Sequence, residues 1–222
     1  MTTASFVFDV VPEPRREGVQ REVEARKARH RLYPVSILYT AYALTLLLLA
    51  LRQETRFVSL GFFALGAVVW TALEYWAHRY ILHGRFPDGP GAFRHFCHKF
   101  FDHLHIEHHK RPWDGNHVNG TIKDTLPFML VFGAVSFLFP AHTMPLFVAG
   151  LIQAYIVEEW IHHSVHFCTF RSRYFQYIKR HHLYHHSPKG THVGYGLTNG
   201  FWDIVWETRI PAEDRKALYS KL

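Results

Sequence analysis

Four apolar runs without a single charged residue, at 35–51, 57–73, 126–139 and 144–157, constrain this 222-residue chain more than any other feature. A backbone in lipid has to satisfy its own N–H and C=O groups, which a helix does, so such runs read as spanning helices. A spanning helix needs about 20 apolar residues, within a range of about 17–25. The first two runs, 17 residues each, sit at the lower end of helical length. The last two are shorter and need their polar flanks or a shallow seat. Short turns, Arg52–Arg56 and Pro140–Pro145, join the runs in pairs. The predicted fold class is therefore all-α, an integral membrane protein with four transmembrane helices in two hairpins, rather than a soluble bundle with buried core helices.

Mean hydropathy of −0.09 conceals this partition, because the intervening segments are rich in His, Lys and Arg. Seven Lys/Arg lie in 1–31, seven in 78–125 and nine in 167–222, against two in the first turn and none in the second. Basic loops stay cytosolic. Both termini and all the polar segments are thus expected on the cytosolic side. Residues 1–31 lack the order of a signal peptide. They are expected as a cytosolic basic segment, a tail or an amphipathic surface helix, ahead of a membrane domain over 32–222. The formal charge of +7 is spread beside the apolar runs, which suits anionic headgroups and speaks against nucleic acid. Two cysteines, Cys97 and Cys168, make no disulfide framework.

The polar segments carry nineteen histidines, and ten of them fall into four patterned clusters. These are His78 and His83; His105, His108 and His109; His162 and His166; and His182, His185 and His186. Positions i, i+3 and i+4 share a helix face. Each triplet is therefore expected to converge on one point, as is the His162/His166 pair. His78 and His83 point about 140° apart on a regular helix, so they are expected to serve different metals or to flank a helix end. His103, His163 and His181 adjoin the clusters but fall off the shared faces. Imidazole suits Fe, Zn, Cu and Ni. Ten convergent rings are too many for one ion and suit two, with about five each. Glu74, Glu107, Glu159 and Asp203 are candidates to accept the free imidazole N–H groups and fix their tautomers.

The clusters, in order, resemble the histidine boxes of the fatty acid hydroxylase/sterol desaturase superfamily, and within it the fatty acid 2-hydroxylases. Glu74-Tyr-Trp-Ala-His78 through His83 is similar to the first box. His105-Ile-Glu-His108-His109, with Pro112-Trp-Asp114 nearby, is similar to the second. Glu159-Trp-Ile-His162 followed by His166 is similar to the third, and Lys179-Arg-His-His182-Leu-Tyr-His185-His186 to the fourth. The stretch from Gly194 to Thr208 resembles the C-terminal signature.

The resemblance implies a helical membrane scaffold under a cytosolic helical cap that holds a dinuclear metal site ligated by these ten histidines. It implies two iron ions, with zinc as a possible replacement in overexpressed protein, and O2 as co-substrate. The expected activity is an O2-dependent di-iron hydroxylase that inserts one oxygen atom into a C–H bond of a lipid, most plausibly a fatty acyl chain. Sterol or carotenoid oxidases and desaturases of the same superfamily are alternatives that box spacing does not separate. About 30 residues precede the first run, too few for the b-type cytochrome domain many relatives carry. A separate electron donor is therefore expected, a ferredoxin or a b-type cytochrome with its reductase. An alternative of another class is a non-catalytic membrane protein that binds or transports metal. A transporter, however, places ligands near mid-membrane, whereas these apolar runs are free of histidine.

Overall fold

The computed structural model describes residues 18–98, 101 and 103–220. Every regular element among them is helical. α1 spans Gly18–Leu51 and α2 spans Arg56–Trp76, extended by a π-helical segment at Ala77–Leu82. There follow α3 (Ala92–Cys97), α4 (His103–Lys110), α5 (Ile122–Ser136), α6 (Met144–Phe167), α7 (Arg173–His185), α8 (Phe201–Val205) and α9 (Ala212–Tyr219). Three of these are long and apolar enough to cross a membrane: Gly18–Leu51, Arg56–Leu82 and Met144–Phe167.

The third predicted run lies in α5, which has 15 residues, a rise of about 22 Å against the ~30 Å of a hydrocarbon core. A capping box between Thr121 and Asp124 starts this helix, and it ends at Ser136, inside the apolar run. α5 therefore falls short of a span by its own length.

The basic segment differs from the expectation of a tail or separate surface helix. Its described part, residues 18–31, is the first half of α1, and residues 1–17 lie outside the described residues. The reason is an apolar seam at helical spacing. Ala25, Ala28 and Leu32 are buried, and the two alanines pack with Val118 and Phe167. At 34 residues α1 is about 51 Å long, enough to cross a bilayer and project well beyond it. Its apolar half exposes Ile37, Leu44 and Leu48, as a lipid-facing surface requires.

α6 packs against α1 through Val35, Tyr39, Val148, Ile152 and Ile156. Tyr39 pairs with Thr125 of α5 at 2.8 Å, and the Trp160 indole donates to Ser36 at 2.9 Å. α2 and α6 cross at a reciprocal pair of glycines. A Cβ on Gly66 would lie 2.0 Å from the Phe147 carbonyl oxygen, and one on Gly150 would lie 2.0 Å from that of Phe63. Glycine at both positions lets two backbones touch, as close membrane helix pairs require. This crossing fixes the spacing of the two helices whose far ends carry His78 and His162.

Candidate metal centre

Ten imidazoles gather where α2, α4, α6 and α7 end, and they sort into two groups of five. The first holds His78, His83, His105, His109 and His185. The second holds His108, His162, His166, His182 and His186. Within each group the ring nitrogens on offer all lie within 4.8 Å of one another. These are the ten histidines singled out from the sequence. His30, His95, His98, His117, His142, His163, His181 and His192 join neither group, and the side chain of His103 lies outside the described residues.

Helical phase explains the sorting, though not as each triplet alone suggests. Residues i and i+4 are about 40° apart around a helix, and i+3 is about 100° from i+4. On α4, His105 and His109 enter the first group and His108 the second. On α7, His182 and His186 enter the second group and His185 the first. Each triplet therefore splits instead of converging, and α4 and α7 contribute to both groups with opposite weights. His162 and His166 share the second group, as their spacing predicts.

His78 and His83 both belong to the first group, so they do not serve different metals; the alternative expectation, a helix end between them, is met where the π-helical segment stops at Leu82. The π-helical segment is the reason the two share a group. The His83 amide donates to the His78 carbonyl at 3.0 Å, an i to i+5 bond that brings residues five apart onto one face. π-turns of this kind are frequent at functional sites.

The rings meet through Nε2. In the first group His105 Nε2 lies 2.9, 3.1 and 3.0 Å from Nε2 of His78, His83 and His109, and His83 and His185 are 2.9 Å apart. In the second, His162 is 3.0 Å from His108 and 3.3 Å from His166, and His182 is 2.9 Å from His166 and 3.0 Å from His186. A ring nitrogen offers one proton or one lone pair, so it cannot satisfy three such neighbours without a cation between them. Two ligands bound at ~2.1 Å and 90° apart stand ~3.0 Å from each other, whereas tetrahedral ligands stand ~3.4 Å apart. Each group thus offers five imidazole nitrogens that could hold a metal ion, and imidazole suits Fe, Zn, Cu and Ni.

The opposite ring nitrogens distinguish the groups. His78 Nδ1–H donates to the Tyr195 carbonyl at 2.6 Å, and His185 Nδ1–H donates to the Val193 carbonyl at 2.8 Å. A carbonyl only accepts, so both protons sit on Nδ1 and both Nε2 lone pairs are free to ligate. In the second group Nδ1 of His108, His166, His182 and His186 is buried without a partner among the described residues. Trp113, from the motif beside the second box, packs edge-on against His166 with ring centroids 5.6 Å apart.

None of the four candidate carboxylates receives a hydrogen bond from these ten rings. Glu74 accepts from the Leu197 and Thr198 amides and the Thr198 hydroxyl. Glu107 pairs with Lys110 and Arg111, and Glu159 accepts from Asn119. Asp203 accepts from the Tyr195 and Gly196 amides, the Thr208 hydroxyl and His181. For His78 and His185 the acceptors are the backbone carbonyls of Tyr195 and Val193 instead. No residue type marks a carbonyl, so sequence reasoning missed Val193 and Tyr195.

Burial keeps the rings neutral, which ligation needs. It pushes His83 down to about 4 and His109 down to about 3. It holds His105, His108, His182, His185 and His186 well below the usual imidazole value, with neighbouring imidazoles adding to the effect. His83 and His109 are half-buried, while the other eight are buried.

The profile of the fatty acid hydroxylase family matches residues 63–208, a stretch containing all ten histidines. A rat (Rattus norvegicus) fatty acid 2-hydroxylase is 30% identical over 70% of this chain and 41% of its own length. A dihydroceramide fatty acyl 2-hydroxylase of Arabidopsis thaliana is 28% identical over 65% of this chain and 59% of its own. A ceramide very long chain fatty acid hydroxylase of Saccharomyces cerevisiae is 29% identical over 72% and 40%. The chain thus spans about two fifths to three fifths of the length of these relatives. A solved structure of full-length Scs7p, in which only the hydroxylase domain is visible, superposes with a TM-score of 0.67 at 23% identity, covering 81% of this chain and 67% of that one. At that identity the likeness concerns the fold.

Proposed function

This chain belongs to the fatty acid hydroxylase family, and from that membership we propose that it is an O2-dependent di-iron hydroxylase acting on a fatty acyl chain in a membrane. The overall reaction converts a lipid C–H, O2, two electrons and two protons into an alcohol and water. The observation that carries this reading is the pair of five-imidazole groups. When bound, two iron ions supply the redox chemistry that activates O2. All ten histidines of the two groups serve as ligands through Nε2, with zinc able to take iron's place during overexpression.

The residues of the chain then have separate tasks. His78 and His185 keep a proton on Nδ1 so that Nε2 stays open. Burial holds His83, His105, His108, His109, His182 and His186 unprotonated at neutral pH. His83 and His109, the half-buried pair, mark the side from which an acyl chain reaches the centre. Tyr80 and Ile81, exposed beside His83, guide apolar substrate toward that side. Electrons come from a separate donor, a ferredoxin or a b-type cytochrome with its reductase. The named relatives act on fatty acids and ceramides, which favours an acyl substrate over a sterol or carotenoid.

Two helical hairpins, α1 with α2 and α5 with α6, hold the centre in a cytosolic cap, with both termini on the same side. The charge distribution supports this orientation, and the short α5 requires local thinning of the bilayer or a shallow seat. Tags at 85–91 should label only from the cytosol and tags at 52–56 only from outside. Lipid profiling of cells with and without the chain under 18O2 tests the chemistry. A hydroxylated acyl product carrying one 18O is expected. Unchanged lipids in cells containing correctly folded, iron-loaded protein and a competent donor would refute it.

A further inference from the structure

The segment 193–198 reaches the metal centre through two backbone carbonyls and through the Tyr195 ring, whose centroid lies 5.3 Å from that of His83 and 5.2 Å from that of His185, and two buried carboxylates hold it. From one side Asp203 accepts from the Tyr195 amide at 2.9 Å and the Gly196 amide at 3.0 Å. Its remaining lone pairs take the Thr208 hydroxyl at 2.7 Å and His181 Nε2 at 3.2 Å. Asp203 is 1% exposed. A Cβ on Gly196 would lie 2.9 Å from the Asp203 carboxylate and 1.9 Å from the Asn199 carbonyl oxygen, so the close approach requires glycine. From the other side Glu74, also buried, accepts from the Leu197 and Thr198 amides at 2.9 and 2.7 Å. A strap of six residues is thus pinned at four consecutive amides. A buried carboxylate is costly unless such donors surround it, so this arrangement is a built feature.

The strap gives its carbonyls to one group of histidines only. Tyr195 accepts from His78 and Val193 from His185, and both rings belong to the first group. We propose that Asp203, through the strap, is a positioning residue for the first metal alone, setting the tautomer and aim of His78 and His185 while the second group stands independently of it. This rests on the reading that each group binds an ion. Partners that orient a ligating imidazole typically contribute 10–100-fold in metal affinity. That factor should appear at one of the two sites and leave the other unchanged. Asp203 itself touches neither metal nor substrate. Asp203→Asn keeps the volume but replaces an acceptor oxygen with an amide that cannot accept from Gly196 or His181.

The test is a stepwise chelator titration of purified, metal-loaded protein, read by metal content and not by turnover. Wild type should hold two ions per chain and release them over a narrow range of chelator. Asp203→Asn should release one ion at roughly 10–100-fold lower chelator and keep the other at the wild-type position. Glu74→Gln, which loosens the strap from its other end, provides a second variant should the first fold poorly, and it should give the same split. The ion that remains should vanish on adding His182→Ala and persist on adding His109→Ala. A variant that folds and releases both ions together, or neither early, would overturn the positioning role and leave the two-ion reading intact. A wild-type count of one would remove both.

Discussion

The two halves of the metal centre have the same number of imidazoles but are built by different means. The second group, His108, His162, His166, His182 and His186, is wholly buried and comes from three regular helices. The first group needs a π-turn to align His78 with His83 and a pinned strap to orient His78 and His185. It also leaves His83 and His109 half-exposed. One half is fixed by packing and helical phase. The other is fixed by hydrogen bonds to a loop, and it faces outward. A buried centre that must be reached from outside needs one half open, and the open half cannot rely on packing alone.

The largest expected effect separates the halves by stability. His166→Ala and His182→Ala delete ligands that are at most 1% exposed and leave voids in packed surroundings. Each should abolish turnover, lose an ion and cost about 2 kcal/mol or more. His83→Ala should abolish turnover and lose an ion as well, yet shift the metal-free melting transition little, because that ring is half-buried. Thermal melts of the metal-free variants decide the matter. Equal destabilisation by His83→Ala and His182→Ala would erase the distinction between the halves.

A second expectation concerns what holds the halves together. α2 delivers His78 to the first group and α6 delivers His162 and His166 to the second, and the two helices touch at Gly66 and Gly150. Gly150→Ala places a methyl 2.0 Å from the Phe63 carbonyl oxygen, so the helices have to separate. The cost should reach or exceed the ~1–3 kcal/mol typical of overpacking, with reduced content of both ions. Loss of one ion only would mean that the crossing does not set the spacing of the groups.

The boundary between the halves is also the boundary of what could be read in the sequence. The pairs His162/His166 and His182/His186 follow from a four-residue spacing on a regular helix. The partition of His108 away from His109, and of His185 away from His186, does not. It depends on two sites flanking α4 and α7, and a helical wheel shows phase but not what lies on either side. The pairing of His78 with His83 was hidden because a five-residue spacing converges only in a π-turn. The strap was hidden because its acceptors are backbone carbonyls, of Val193 and Tyr195, and no residue type marks a carbonyl. Hydropathy marked the long helices well but placed a span at 126–139, where the helix stops at Ser136. Composition does not encode where a helix ends inside an apolar run.

Acid should open the two halves in order. Burial holds His83 at about 4 and His109 at about 3, below the unfolded value near 6.5. An unfolded chain therefore binds more protons than the fold between pH 6.5 and about 3. The metal-free protein keeps full stability above pH 6.5 and loses it progressively as pH falls through that window. In loaded protein, protons compete with metal for the same Nε2 lone pairs. The first group contains both half-exposed rings, so its ion should leave at higher pH than the second. Metal content after dialysis at stepped pH should show two steps. A single step with both ions lost together would indicate that the halves titrate as one.

The smallest effect sharpens the comparison inside one helix. His162 and His163 are neighbours on α6, and both are buried. His162 meets His108 at 3.0 Å. His163, about 100° around the helix, packs instead between Trp160 and Phe167, with ring centroids 5.7 and 5.2 Å away. His162→Ala should remove one ion and all turnover. His163→Ala should keep both ions and cost ~1–3 kcal/mol of stability from the void beside the two aromatics, while turnover falls by less than about tenfold. His163→Phe should recover part of that stability without changing the metal count, since its neighbours are aromatic. If His163→Ala lost an ion while His162→Ala retained both, helical phase would have assigned the wrong member of the pair. The second group, the half fixed by packing and helical phase, would then need a different explanation.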